Sequence, residues 1–140
     1  MSKKHGLRYW KKKAWFEFSR YIRLRDAIKT THTKDRVLCC TCGKEYPAFG
    51  IGCVQAGHFV PGRGNAILFE IYGCHAQCYN CNITKKGAWP EYMEFMLKEY
   101  DRYAVDELLK MNKTVKKYTP VELEEKRDEY KQMYNDLKEL

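Results

Sequence analysis

No apolar run in this 140-residue chain approaches the roughly 18 residues that a membrane-spanning helix needs, so a spanning segment is not expected. The basic N-terminus, Met1 to Lys13, lacks the apolar core of a secretory signal, and a cytoplasmic protein is expected. Internal repeats and low-complexity segments are absent as well, which leaves one globular domain, 1–140, with enough apolar content for a modest core. Histidine is scarce, with four in the chain, and His5 and His32 suggest no role.

Cysteine is what the chain does have: seven residues, in a compartment where thiols stay reduced, so metal ligands and spare thiols are expected rather than disulfides. Cys39-Cys40-Thr41-Cys42 and Cys78-Tyr79-Asn80-Cys81 form two CxxC pairs, each suited to a tight turn, and together they can supply four thiolates to one structural zinc ion. Cys40, Cys53 and Cys74 read as small buried hydrophobes, with a second metal cluster of Cys53, Cys74 and His75 as the rival. Positive charge dominates, at +8 net, and it is polarised: residues 1–38 carry a net +9, residues 39–90 a net +2 and residues 91–140 a net −3. A basic front half threaded with aromatics suggests a polyanionic partner, most simply DNA, and no membrane.

Between Leu7 and Lys29 there is neither proline nor glycine. Trp10, Ala14, Phe18, Tyr21, Ile22, Arg25 and Ile28 follow helical spacing, giving one long basic helix over 7–30. Trp10, Trp15, Phe16 and Phe18 read as core rather than base-stacking groups. The spacing then predicts a zinc-stapled unit over 37–88: a knuckle, a strand over Val54–Val60, a turn at Pro61–Asn65, a strand over Ile67–Tyr72, the second knuckle and a short helix. Helices from Trp89 to about Tyr100 and from Tyr103 to Met111 give helical support over 89–118. Thr119-Pro120-Val121-Glu122 is a capping box with proline at the first helical position, which opens a final helix over 119–140. Its stripe of Leu123, Tyr130, Met133, Tyr134, Leu137 and Leu140 suits packing on the body or on a second copy, as a homodimer. The fold class is α+β, mainly α.

Within the stapled unit, His58 lies sixteen residues after the first knuckle and Asn82 directly follows the second. A histidine near neutral pKa can take the proton of a water, and a metal with few protein ligands keeps positions open for a phosphate oxygen. That pairing points to phosphodiester hydrolysis. Arg20, Arg23 and Arg25 divide between phosphate contacts, which are favoured, and ion pairs with Glu17 or Asp26. Lys11, Lys12, Arg63, Lys85 and Lys86 complete the candidate DNA-binding set.

Three stretches carry a family resemblance: Phe18 to Asp26, Ala56-Gly57-His58-Phe59-Val60, and Gln77-Cys78-Tyr79-Asn80-Cys81-Asn82. Over about residues 7–110 the chain resembles the NinG/Rap recombination-nuclease family of lambdoid bacteriophages. That family falls in the wider His-Asn-His (HNH, ββα-metal) class, and the zinc spacing is similar to that of the phage Holliday-junction endonuclease VII group. The resemblance implies a zinc-stapled HNH-like core and an endonuclease, a hydrolase, that acts in DNA recombination on branched DNA such as Holliday junctions or D-loops. It puts His58 in the general-base position, Asn82 in a metal-ligand position, and Cys39, Cys42, Cys78 and Cys81 in the structural-zinc positions. Mg²⁺ or Mn²⁺ is implied as the catalytic metal. Gly57 stands where that class usually has a metal-binding aspartate, and Gly73 where it usually has an asparagine that orients the base. His75 is the candidate replacement ligand or orienting group. Two other readings remain open: a non-catalytic zinc DNA-binding module, and an HNH nickase or sequence-specific endonuclease.

Overall fold

The computed structural model describes residues 5–61 and 64–140, so Arg63 lies outside the described residues. Helix α1 runs from Leu7 to Thr31 without a helix breaker. Ala14, Phe18 and Ile22 recur every fourth residue on its inner face and are fully buried. The helix stops where Thr30 and Thr31 turn their hydroxyls back to the carbonyls of Asp26 and Ala27 and His32 adopts a left-handed φ of 59°.

Strands β1 (Arg36–Leu38) and β2 (Glu45–Pro47) form an antiparallel hairpin whose tip is the first CxxC turn. Strands β3 (Gln55–His58) and β4 (Cys74–Gln77) form a second one, pairing Gln55 with Gln77, Ala56 with Ala76, Gly57 with His75, and His58 with Cys74. Alternation along the pair puts Ala56, His58, Cys74 and Ala76 on one face and Gly57, His75 and Gln77 on the other. Ala56 and Cys74 pack into the core with Phe18 and Ile22 of α1, together with Phe69. On the opposite face, the Tyr92 hydroxyl of helix α3 (Trp89–Glu99) donates to the Gly57 carbonyl at 2.6 Å. The β3–β4 hairpin is thus held between α1 and α3.

Ile67–Tyr72 is not a strand. The segment forms a short helix α2 (Asn65–Leu68) and a 3₁₀ turn over Ile71–Gly73, and the second strand lies later, at Cys74–Gln77. The apolar run reads as a strand because Ile67 and Phe69 are both buried, but they enter different clusters, Phe69 against α1 and Ile67 against α3 and helix α4 (Arg102–Met111). A tight π-helical turn, Asn80–Thr84, follows the second CxxC.

Helix α5 (Pro120–Lys138) begins with the capping box intact: Thr119 accepts from the Glu122 amide, and Glu122 accepts from the Thr119 amide. Leu123, Tyr130 and Tyr134 are buried, with Leu123 and Tyr130 in the cluster that α1 builds. Most of the apolar stripe therefore packs on the body of the same chain, while Leu140 stays exposed.

Candidate active site and metal centre

The two CxxC turns converge. The sulfur atoms of Cys39, Cys42, Cys78 and Cys81 all lie within 4.8 Å of one another. The Cys42 and Cys78 sulfurs are 3.9 Å apart. Tetrahedral zinc with Zn–S bonds of about 2.3 Å requires sulfurs about 3.8 Å apart, so the donor set fits zinc in chemistry and spacing. Local backbone prepares it. Gly43, at φ 75°, closes the first turn, and its amide donates to the Cys39 carbonyl. The Cys78 amide donates to the Cys39 sulfur and the Cys81 amide to the Cys78 sulfur. Burial pushes the Cys39 thiol up, but the Thr41 hydroxyl and the amides of Cys78, Cys42 and Thr41 outweigh it and bring it down to about 6, a thiolate at neutral pH. Burial lifts Cys81 to about 12, a thiol that ionises at neutral pH only beside a cation. Among the described residues these four form the one group of cysteines, histidines and carboxylates placed to hold a metal, so Cys53, Cys74 and His75 build no second cluster there.

His58 and Asn82 line a single open cavity of about 250 Å³, together with Ala56, Val60, Pro61, Ile83, Lys86 and Gly87. Each side chain is fixed from a different direction. The His58 ring stacks on Trp15 of α1 at 5.1 Å between centroids, and its Nε2 lies 3.1 Å from the Leu68 carbonyl. With Nε2 as the donor of that bond, the lone pair sits on Nδ1. The Asn82 amide nitrogen donates to Gln55 Oε1 at 2.7 Å, which orients the carboxamide. The Asn82 backbone amide is tied to the Cys78 carbonyl inside the zinc turn. Lys86 reaches the cavity from a left-handed backbone at φ 52°. Lys85 is exposed but does not line the cavity.

His75 is not brought to this cavity. It lies on the other face of the hairpin, buried, with Nδ1 3.3 Å from the Tyr92 hydroxyl and Nε2 2.9 Å from that of Tyr100. Burial, followed by Arg25 and Lys29, holds its pKa well below the ordinary histidine value, so it is a neutral member of the α3 interface. Gly57 has a local reason too. A Cβ there would fall on Oε1 of Gln77, a fully buried side chain that fills the space where an aspartate would stand. Gln77 Nε2 ties the first zinc turn to the end of the π turn, donating to Thr41 and to the Gly87 carbonyl.

The three arginines expected at phosphates each have partners within the chain. Arg25 donates to the carbonyls of Ile71 and Cys74 at 2.6 and 2.7 Å and pairs with Asp26, which itself accepts from the Ala76 amide. This cluster docks α1 onto β4. Arg23 donates to the Ala48 carbonyl and the Cys53 sulfur and lies over Phe49. Arg20 pairs with Glu17 at 3.2 Å and sits on the Tyr134 ring of α5. Phe16, expected in the core, is 55% exposed.

The cations beside the site lie about two to five turns earlier on α1. Arg8, Lys11, Lys12 and Trp15 line a second cleft with Leu68 and share His58 with the first cavity. Positions 8, 11, 12 and 15 are one face of a helix, a pattern present in the sequence but outweighed there by the denser arginines of residues 20–25. Gln55 and Gln77, directly opposed on the hairpin, carried no sequence signal.

The model of the family described as Bacteriophage Lambda NinG protein matches residues 2–139, and the chain belongs to that family. No curated protein and no solved structure matches it. Among the described residues no helix is long and apolar enough to cross a membrane.

Proposed function

We propose that this NinG-family chain is a zinc-stapled, divalent-metal-dependent DNA endonuclease of the HNH type, acting on branched recombination intermediates. The observation that carries this reading is the shared cavity of His58 and Asn82, next to the four-cysteine centre and open to solvent. His58 takes the proton of the attacking water through Nδ1, while the Trp15 stack and the Leu68 carbonyl keep the ring from turning away. Lys86 places positive charge where the phosphate enters. Asn82, held by Gln55, offers its carboxamide oxygen to a cation. No carboxylate lines the cavity, so Asn82 would hold Mg²⁺ or Mn²⁺ there only together with oxygens of the scissile phosphate and water, and the chemistry supplied would be positive charge against the leaving 3′ oxygen. The cysteine centre is structural: its four ligands leave no open position.

A second reading, a zinc DNA-binding module without activity, is favoured by the missing carboxylate and by the Gln77 side chain that fills the aspartate position. Purified protein with magnesium or manganese, offered four-way, flap and linear duplex DNA, separates the two. Metal-dependent cleavage of the branched substrates is expected. Tight binding of all three with none cut would favour the module, and preferential cutting of linear duplex at one sequence would favour the sequence-specific endonuclease.

A further inference from the structure

Apart from the His58 and Trp15 side chains in its wall, the second cleft has no part in the hydrolytic chemistry. It has a volume of about 340 Å³ and a mostly apolar wall of Trp15 and Leu68 below the cationic side chains of Arg8, Lys11 and Lys12. Lys11 is held by Asn65 Oδ1 at 2.7 Å, whereas Arg8 and Lys12 make no hydrogen bond or ion pair among the described residues. Two exposed cations above an apolar floor match one nucleotide of a DNA backbone, with the phosphate at the rim and the deoxyribose on the floor. The cleft offers little to a base. The Trp15 ring is already stacked on His58 and packed on Phe18, and the cleft has no amide or carboxylate for an adenine or cytosine edge; a guanine edge reached by Arg8 or Lys12 is the competitor that the sequence series below resolves.

We propose that this cleft seats the nucleotide flanking the scissile phosphate and grips its sugar-phosphate backbone, adding affinity and register without regard to base sequence. The inference rests on the endonuclease reading for the location of the scissile phosphate. The strand then runs from Lys86 past His58 to Lys12 and Arg8, with His58 as the wall common to both clefts. Trp15 is a positioning residue that holds the base from the cleft side.

The test is a binding measurement on zinc-loaded protein, with no chelator and with calcium in place of magnesium or manganese to withhold cleavage, on four-way junctions of several sequences at varied salt. The proteins are wild type, Arg8→Ala/Lys12→Ala, and a control, Lys113→Ala/Lys131→Ala, that removes the same charge from exposed positions elsewhere. The cleft variant should flatten the slope of log affinity against log salt by about 2, roughly 0.9 for each phosphate no longer neutralised. It should weaken every sequence alike, while the control changes the slope by much less. If wild type binds but does not cut with metal and the cleft variant still shows the flattened slope, the endonuclease reading fails and the backbone cleft stands. Equal slopes in the two variants, a sequence-dependent weakening, or no binding by wild type would overturn the cleft.

Discussion

At the scale of single residues, the hairpin between α1 and α3 holds two histidines in opposite environments, and acid separates them. His58 is half-buried in an open cavity; His75 is sealed against Tyr92 and Tyr100. Because the folded pKa of His75 lies well below its unfolded value near 6.5, the unfolded chain binds more protons as pH falls through 6.5, and stability drops on that side. One such group contributes a slope of up to about 1.4 kcal/mol per pH unit below 6.5. Denaturant titrations of the zinc-loaded protein should show that slope, and His75→Gln, which removes the titrating group, should reduce it. An unchanged acid profile would mean that His75 is not buried neutral. Gly57 gives a second residue-level test. Gly57→Ala drives a Cβ onto Gln77 and should cost roughly 1–3 kcal/mol, as overpacking does. In the double variant Gly57→Ala/Gln77→Ala the Oε1 clash is gone and only the Cβ–Cβ approach of 3.0 Å remains, so the two changes should be non-additive; additive losses in equilibrium unfolding would contradict the close approach.

Elements were legible to very different degrees. The long helices announced themselves: α1 through an unbroken apolar period, α5 through its capping box, and α3 and α4 within a residue or two at each end. The four zinc cysteines were legible because spacing alone defines a knuckle. The second strand of the site hairpin was not, because Cys74-His75-Ala76-Gln77 has no β-branched or aromatic residue and its apolar–polar alternation spans only four positions, beside the longer apolar run Ile67–Tyr72. Its place is fixed by distant parts of the chain, Arg25 and Asp26 on one face and Tyr92 on the other. The same interactions engage Arg25 with backbone carbonyls, a use that a sequence does not distinguish from an arginine aimed at a phosphate. The four-cysteine centre belongs at this scale, as a zinc ion held there would clamp the β1–β2 turn to the π turn that carries Asn82. One zinc per chain is expected by elemental analysis, and Cys78→Ala should lose it together with most of the folded signal, because zinc binding and folding are coupled. A zinc-free protein with a native-like spectrum and melting temperature would contradict this.

Across the whole molecule, charge is sorted by element. Helix α1 carries a net +6 and α5 a net −2, and the two pack together through Phe18 and Tyr130. The arginines of the second half of α1 are engaged by carbonyls, carboxylates and aromatic rings, so the available positive field lies toward its N-terminal half, next to His58. Arg20→Ala/Arg23→Ala should therefore destabilise the fold, by about 1–3 kcal/mol for the partly buried hydrogen bonds removed, while leaving the salt slope of DNA binding close to wild type. Thermal melts and binding isotherms on the same preparation check both halves of that expectation.

The most direct test of the proposed activity is single-turnover cleavage of a four-way junction in magnesium or manganese by wild type and by His58→Ala, with zinc content and junction affinity measured on the same samples. If His58 is the base, wild type cuts, and the variant keeps its zinc and its affinity but loses roughly 10²- to 10⁴-fold in rate. Cleavage within a few-fold of wild type in a zinc-loaded, junction-binding His58→Ala protein would show that the proton is taken elsewhere and that the cavity of His58 and Asn82 is not the active site.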